Sequence, residues 1–541
     1  VRQRTFLLAA VLIGGICSLG IELTMSRLLQ PFFGSSQLIW ANVIGLELLF
    51  LTIGYRLGGR LADRRPDPNL LGLLMLVAGL TTAPIPLLAR PILAASASAF
   101  TSFSIGVFFG SFFGVLLLMT VPMVLLGMVS PFAIRLSVND VQTAGSTAGS
   151  LYALSTIGSI IGTFLPVLLL VPQFGTNMTF YFFAVALVII GALGIRRRVA
   201  LLAVPAVLLL VFFQLRLSGI RDPFCQGCTS IYEDESSYNY IQVVRYQGGP
   251  QGSEQIGLVL NEGQAIHSIY NTRYTETKQA ADLLTNGPWD FFNVASYVYP
   301  DRSPDDVNSL LMIGSAAGTI PKQFLAFYGP DARIDAVEID PKIVAVGREY
   351  FAMDDQQFPN YKVYTEDGRV FLNRTTQTYD VIGMDAYHQP YIPFHLTTQE
   401  FFRQVNDKLA PNGVAVVNAG KPGSDYRLVD TLASTMRSVF PQVFIIDVPS
   451  FGNSIVIGVK QPVGDGVANF TANMQRISDP ALRSIMQAAL DTNQYKRPFR
   501  QWTAADAAAT RPFTDDWAPV ESVIDRIILR AANAGIEGTQ E

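Results

Sequence analysis

For its first 220 residues the chain is written almost without charge. Apolar runs of about 20 residues recur at roughly 5–26, 37–57, 70–89, 106–130, 148–171, 177–195 and 199–217, each long enough to cross a hydrocarbon core of about 30 Å as a helix. This pattern predicts an N-terminal polytopic α-helical membrane domain of about seven spans over residues 1–220. The apolar stretch 92–136 leaves room for an extra amphipathic or re-entrant helix. The first run is expected to be retained as a span, because comparable runs follow it without a small-residue cleavage site.

Beyond Asp222-Pro223 the period changes. Residues 238–246 and 255–260 alternate apolar and polar positions around Gly248, Gly249, Pro250 and Gly252, which predicts a small antiparallel β-hairpin region over 221–265. From about 308 onward, buried-strand runs at 309–313, 334–339, 361–364, 379–384 and 414–418 alternate with helical stretches such as 341–351 and 398–409. That alternation predicts an α/β domain over 266–541, a doubly wound, mostly parallel sheet of seven strands. Runs 443–448 and 454–459 are joined only by a Pro-Ser-Phe-Gly-Asn turn and must pair antiparallel. A parallel sheet closed by such a hairpin is the arrangement of S-adenosylmethionine-dependent, methyltransferase-type enzymes.

Composition agrees with two halves that need different solvents. Hydrophobic residues make up 50% of the 541 and charged residues 15%, with a mean hydropathy of +0.31, too apolar for a wholly soluble chain. A net charge of −4 shows no basic excess, so nucleic acid is not an expected partner. Three cysteines exclude a disulfide scaffold and a four-thiolate zinc site, and no metal is expected. Cys225 and Cys228, spaced C-x-x-C, would form a disulfide on an extracytoplasmic side and stay free thiols on a cytoplasmic one. Arg2, Arg4, Arg56, Arg60, Arg64, Arg65, Arg135 and Arg196 to Arg198 fall on one side of the predicted spans, against Arg27, Arg90, Arg216 and Arg221 on the other. The N-terminus is therefore expected in the cytoplasm of a multi-pass cell-membrane protein, and an odd span count would place the soluble half outside.

Two acids, Glu22 and Glu47, fall within predicted spans. Each either pairs with a nearby Arg or a polar helix neighbour such as Asn42, or belongs to a cation-handling site between helices. The spacings Gly110-x-x-x-Gly114, Gly145-x-x-x-Gly149 and Gly158-x-x-x-Gly162 predict close helix packing.

The candidate chemistry lies at predicted strand ends. Residues 311–318, Leu-Met-Ile-Gly-Ser-Ala-Ala-Gly, run from a strand through a small-residue turn into a helix, where backbone can approach a ligand closely. About 20 residues on, Glu338 in Val337-Glu338-Ile339-Asp340 stands where a ribose hydroxyl pair is bound. Glu366-Asp367-Gly368-Arg369 follows the third strand and Asp385 ends the fourth. Singly, each Asp is explained by a helix cap or a turn; in order, the acids point at one crevice.

These segments, with residues 235–241, 260–268 and Tyr379 to Tyr387, resemble spermidine synthase, the aminopropyltransferase fold. The whole chain is similar to the membrane-fused spermidine synthase-like proteins of prokaryotes: residues 122–135 resemble their membrane signature and residues 513–521, Phe-Thr-Asp-Asp-Trp-Ala-Pro-Val-Glu, their terminal acidic motif. The resemblance implies transfer of an aminopropyl group from decarboxylated S-adenosylmethionine to an amine such as putrescine. By that match Asp385 is the base for the attacking amine, with His388 as a second catalytic candidate. Gly314, Gly318, Glu338 and Asp367 would hold the nucleoside, and His267, Asp290, Tyr387 and Asp516 the substrate. The chain departs from the pattern where the glycine turn should end in Asp and has Ala317. It departs again where a second acid should follow Asp385, at His388 or Gln389, and in Trp289-Asp290-Phe291-Phe292, which replaces a Tyr-His-Glu stretch. The alternatives are a catalytically altered binding or assembly subunit of a membrane complex, a methyltransferase using S-adenosylmethionine itself, and a polyamine transporter using Glu22 and Glu47. Expected partners are the lipid bilayer, the small amine, and further copies of the chain or other subunits of a membrane complex.

Overall fold

The computed structural model describes residues 2–33, 37–99, 106–138, 140–195, 200, 202–216, 221, 223, 225–249, 252–261, 265–353, 355–387, 392–421, 425–449, 451–491, 497–503, 511–521 and 523–524. Two compact units emerge, Val1–Asp222 with Glu233–Tyr240, and Pro223–Tyr232 with Ile241–Glu541.

The first unit is helical: α1 (Arg2–Phe33), α2 (Gln37–Arg64), α3 (Pro68–Thr82), α4 (Ile85–Ala99), α5 (Gly106–Gly127), α6 (Val129–Ser137), α7 (Ala144–Leu165), α8 (Val171–Gly194) and α9 (Ala203–Arg216). Among the described residues four helices are long and apolar enough to cross a membrane, or five if the bent pair α3 and α4 counts as one span. The expectation of seven is not reached, for local reasons. Run 70–89 breaks into α3 and α4, bent by 53°, at Ala83-Pro84, where the proline has no N–H to continue the ladder. Runs 148–171 and 177–195 lie end to end within Val141–Gly194, and non-helical Gly175 (φ 79°) puts a kink between them. Among the described residues of run 199–217, α9 has 14 residues, short of the roughly 20 that a span needs.

Glycines at Gly158 and Gly162 do bring helices together. A Cβ on Gly162 would lie 2.2 Å from the Ile16 carbonyl oxygen of α1, and one on Gly158 2.4 Å from that of Leu12. Gly110 and Gly114 abut the side chains of Phe33 and Leu93, whereas Gly145 and Gly149 have nothing within 4 Å and pack no neighbour. Glu22 and Glu47 are both buried. Their carboxyls share a hydrogen bond and Ser18 Oγ donates to Glu47 (3.2 Å). Asn42 is not their partner; its amide donates to Phe108 O and Ser111 Oγ on α5.

After the helices comes a four-stranded antiparallel sheet, β1 (Thr229–Glu235), β2 (Tyr240–Gln247), β3 (Glu254–Leu260) and β4 (Ile266–Asn271), in that order. Cys225 and Cys228 are joined in a disulfide just before it. After a short helix α10 (Tyr274–Thr277) come β5 (Ser309–Ile313), α11 (Thr319–Tyr328), β6 (Arg333–Glu338), α12 (Pro341–Tyr350), β7 (Tyr361–Thr365), α13 (Gly368–Arg374), β8 (Tyr379–Met384), α14 (Gln399–Lys408), β9 (Leu409–Gly420), α15 (Arg427–Arg437), β10 (Gln442–Asp447), β11 (Asn453–Val459), α16 (Gly466–Arg476), α17 (Pro480–Leu490) and β12 (Arg500–Trp502). The main sheet runs β7-β6-β5-β8-β9-β11-β10-β12. Strands β5 to β9 pair parallel and β11 pairs antiparallel with both β9 and β10, the mixed sheet of a methyltransferase-like fold. It has eight strands rather than seven. The extra strand β12 is three residues long with only Trp502 buried, too short to show a period of two in the sequence.

Strands β5 and β8 are buried along nearly their whole length, as a central parallel sheet covered on both faces requires. One face packs Leu310, Met312, Val381 and Val416 against Phe291, Phe292 and Phe324; the other packs Leu311, Ile313, Ile382 and Val417 against Phe401, Phe402 and Leu432.

The turn after β5 fixes where these strands end. Gly314 has φ 78° and a Cβ there would lie 2.6 Å from Cα of Ala386, so both conformation and space demand glycine. Gly329 also has positive φ (87°) but open space around it. Gly314→Ala should therefore cost more stability than Gly329→Ala, with about 1–3 kcal/mol lost at Gly314; thermal unfolding of the two variants side by side measures the difference.

Candidate functional site

Backbone bonds draw the strand ends into one crevice edge. Gly314 N and Ser315 N donate to Val337 O of β6 (3.0 and 3.1 Å), and Asp385 N donates to Ile313 O of β5 (2.9 Å). The residues just past β5, β6 and β8 are thereby held side by side, at the end of the parallel strands where such sheets bind ligands.

Asp385, partly buried, takes two side-chain donors. Trp289 Nε1 donates to Oδ2 and Asn418 Nδ2 to Oδ1, both at 2.9 Å. The Asn418 amide cannot turn around, because its own oxygen accepts from Asn453 Nδ2 (2.9 Å). Burial pushes the Asp385 carboxyl up to about 6, and the two donors hold it from going higher. Tyr387 is anchored beside it: its hydroxyl donates to Asn418 O (2.8 Å) and accepts from Gly420 N (3.1 Å).

Glu338, the last residue of β6, faces the glycine turn. Its Oε2 accepts from Ala316 N (2.9 Å), a residue in left-handed conformation (φ 45°), and its Oε1 from Asp340 N (3.1 Å). Burial raises its carboxyl to about 7. Gly318, φ 88°, caps α11. Ala317 is 1% exposed and packs in an apolar cluster with Ile241, Leu258, Ile343 and Phe351, where a carboxylate would be stripped of water. Its N–H donates to Ser268 Oγ of β4 (3.0 Å), so the small sheet lines the turn; His267, the preceding residue of β4, is partly buried and alternates to the other face of the strand.

Asp367 does two jobs. Its Oδ1 caps α13 by accepting from Arg369 N and Val370 N (2.9 and 3.0 Å), while Oδ2 lies 3.0 Å from His395 Nε2. Arg369 donates to His395 O (3.1 Å) and holds Asp515 through two bonds of 2.8 and 2.7 Å, which keeps the Asp515 carboxyl below its ordinary value. The acid of the C-terminal motif that reaches this cluster is thus Asp515; Asp516 is exposed beside it.

Asp290 stands apart from the other acids. It is 3% exposed and accepts from Thr285 N and Oγ1, Asn286 N and Gln323 Nε2, so the 285–290 turn is organised around it. Burial is the main cause that raises its carboxyl to about 6. His388 and Gln389 lie outside the described residues. Asn418, Asn453, His395 and Asp515 escaped the sequence reading, because each acts through a partner tens of residues away. The one local signal was the acidic motif that holds Asp515. Among the described residues no three His, Cys, Asp or Glu side chains are grouped to hold a metal ion.

Comparison with known proteins places a spermine/spermidine synthase domain at residues 302–462. A probable polyamine aminopropyl transferase of Bifidobacterium longum is 29% identical over 312 residues, 56% of this chain and 64% of that protein. The polyamine aminopropyltransferase of Vibrio vulnificus is 29% identical over 311 residues, 56% of this chain and 94% of that one. Polyamine aminopropyltransferase 1 of Streptomyces coelicolor is 25% identical over 475 residues, covering 83% of this chain and 82% of its own. That share exceeds what residues 221–541 make up, so the likeness reaches into the helical unit.

The raised Glu338 carboxyl has a consequence for stability. Its folded value of about 7 lies above the ordinary 4.5, so the folded state holds the proton more tightly. The resulting stabilisation is complete below pH 4.5 and lost as pH climbs through 7. Glu338→Gln removes this dependence, and the stability of the variant relative to the parent should rise by roughly 3 kcal/mol between about pH 4 and 8, read from denaturant unfolding across that range.

Proposed function

We propose that this chain, which carries a spermine/spermidine synthase domain, is a membrane-anchored aminopropyltransferase that moves an aminopropyl group from decarboxylated S-adenosylmethionine to an amine such as putrescine. The observation that carries the reading is the row of acids at consecutive strand ends, Glu338 as the last residue of β6, Asp367 after β7 and Asp385 after β8. The relatives are named as polyamine aminopropyltransferases, and the apolar helices support the membrane anchor.

In this reading Glu338 accepts hydrogen bonds from the ribose hydroxyls, Asp367 meets the adenine amino group, and the turn at Gly314 and Gly318 lets backbone approach the nucleoside. The sulfonium donor is already a good leaving group, so the protein's task is to align a neutral amine for in-line attack and take its proton. The amine nitrogen bonds to the propyl carbon as the carbon–sulfur bond breaks. Methylthioadenosine leaves with the electron pair, and the proton on nitrogen passes to Asp385. With a carboxyl near 6, Asp385 is ionised at neutral pH yet more basic than a free aspartate, as a general base should be.

Ala317 favours a second reading. The apolar cluster around it provides no carboxylate for the aminopropyl end of the donor, as a binding or assembly subunit that has lost catalysis would allow.

The test is calorimetric binding of methylthioadenosine and decarboxylated S-adenosylmethionine to the full chain in detergent, with chromatographic assay of transfer to putrescine and other amines. Asp385→Asn should keep nucleoside affinity within about threefold and lose about 10²–10⁴ in turnover. Trp289→Phe, lacking one donor to the ionised carboxylate, should move the acid limb of the kcat/KM profile to higher pH by about one unit. A folded protein that binds neither nucleoside would remove the enzyme reading; nucleoside binding without transfer to any amine would leave the second.

A further inference from the structure

The crevice collects acids at the ends of β6, β7 and β8; a cluster of opposite charge lies at the ends of β9 and β10. Side chains alternate along a strand, so Lys421, three residues past Asn418, falls on the other sheet face. Asn418 turns to Asp385, whereas Lys421, 3% exposed, sits with its Nζ 5.1 Å from the ring centre of Tyr426. The guanidinium of Arg497 lies 3.6 Å from the same ring centre. Arg500 is registered against Ile445 of β10 and so shares a face with Asp447, two residues further along.

Among the described residues the cationic side chains here outnumber the carboxylates. The described carboxylate facing the cluster is Asp447, 1% exposed. Its Oδ1 accepts from Ser454 Oγ (2.7 Å), and its Oδ2 from Arg497 N (2.9 Å) and the Tyr426 hydroxyl. Asp425 is taken up by Arg427. Arg500 has both Nη1 and Nη2 buried without a hydrogen-bond partner, a costly state for a guanidinium, and no carboxylate pairs with Arg497 or Arg500 among the described residues. Arg497 is exposed, so the cluster reaches solvent on its side, whereas the Nη1 and Nη2 atoms of Arg500 lie beneath the surface.

We propose that Lys421, Arg497 and Arg500 form a binding site for an oxyanion, the phosphate or carboxylate group of a small ligand, on the sheet face opposite Asp385. The planar fork of Arg500 suits two-point contact with such a group, and Lys421 adds a point charge behind it. Burial lowers the Lys421 ammonium from its ordinary value, Asp447 opposes the shift and the Arg497 charge adds to it; a bound anion would favour the charged ammonium. This site stands whether or not the crevice transfers aminopropyl groups, since it shares no side chain with it.

The experiment titrates full-length protein in detergent with sodium phosphate, and separately with sodium acetate, against sodium chloride at matched ionic strength, by calorimetry and thermal unfolding. Saturable binding with a raised unfolding midpoint is expected, weakened about tenfold or more by Arg500→Gln, while methylthioadenosine binding stays as in the parent. Preference for phosphate assigns a phosphorylated ligand and preference for acetate a carboxylated one. Lys421→Met is the second variant, and Arg497→Gln, at an exposed position, covers the case where either of the others fails to fold. Equal midpoint shifts in chloride, or unchanged anion affinity in folded Arg500→Gln and Arg497→Gln, would overturn the proposal.

Discussion

Nothing larger than hydrogen fits on the α-carbon of Gly314. The backbone just past β8 presses against it, with Ala386 N and Cα and Asp385 O all 2.6 Å from where a Cβ would stand. This contact sets the depth at which β5 and β8 end, and so the place of every acid around the crevice. Asp385 continues the β5 ladder through its own N–H, and Glu338 reaches the turn because Ala316, two residues past Gly314, offers its N–H in a left-handed conformation. A side chain at Gly314 would pry apart the two central strands, and no compensating shift is available inside a sheet buried on both faces.

The acids that this geometry collects differ in role according to their donors. Asp290 and one oxygen of Asp367 are consumed by backbone N–H groups of their own turns, the commonest use of aspartate. Asp385 instead receives one indole and one amide donor, enough to hold the carboxylate in place without satisfying all its lone pairs. Its Asn418 donor is itself oriented by Asn453 of β11, so the antiparallel hairpin that closes the sheet contributes to the crevice as well as to the fold. Arg369 ties the end of the β7 side to residues 513–517 through Asp515.

In the helical unit, close packing follows glycine only where two helices face each other. Gly158 and Gly162 meet the backbone of α1, while Gly145 and Gly149 on the same helix meet nothing. The spacing is identical in the two cases, so it is the partner surface that decides between a packing seam and an exposed face.

The sequence by itself determined the division into an apolar helical half and an α/β half, the strands from β5 to β11 to within a few residues, and the acids at Glu338, Asp367 and Asp385. These were legible because burial imposes a period on neighbouring residues and because strand ends coincide with glycine and acid-bearing turns. The bend at Pro84 and the end-to-end joining of two apolar runs across Gly175 are invisible to hydropathy, which averages over a window and is blind to a single backbone angle. Only the tertiary structure decided which donors reach each carboxylate. Trp289 and Asp385 lie 96 positions apart, and Arg369 and Asp515 lie 146 apart; no local pattern encodes such a pairing. The same holds for Lys421, Arg497 and Arg500, which are unremarkable in sequence and become a site because β12 folds back against β10.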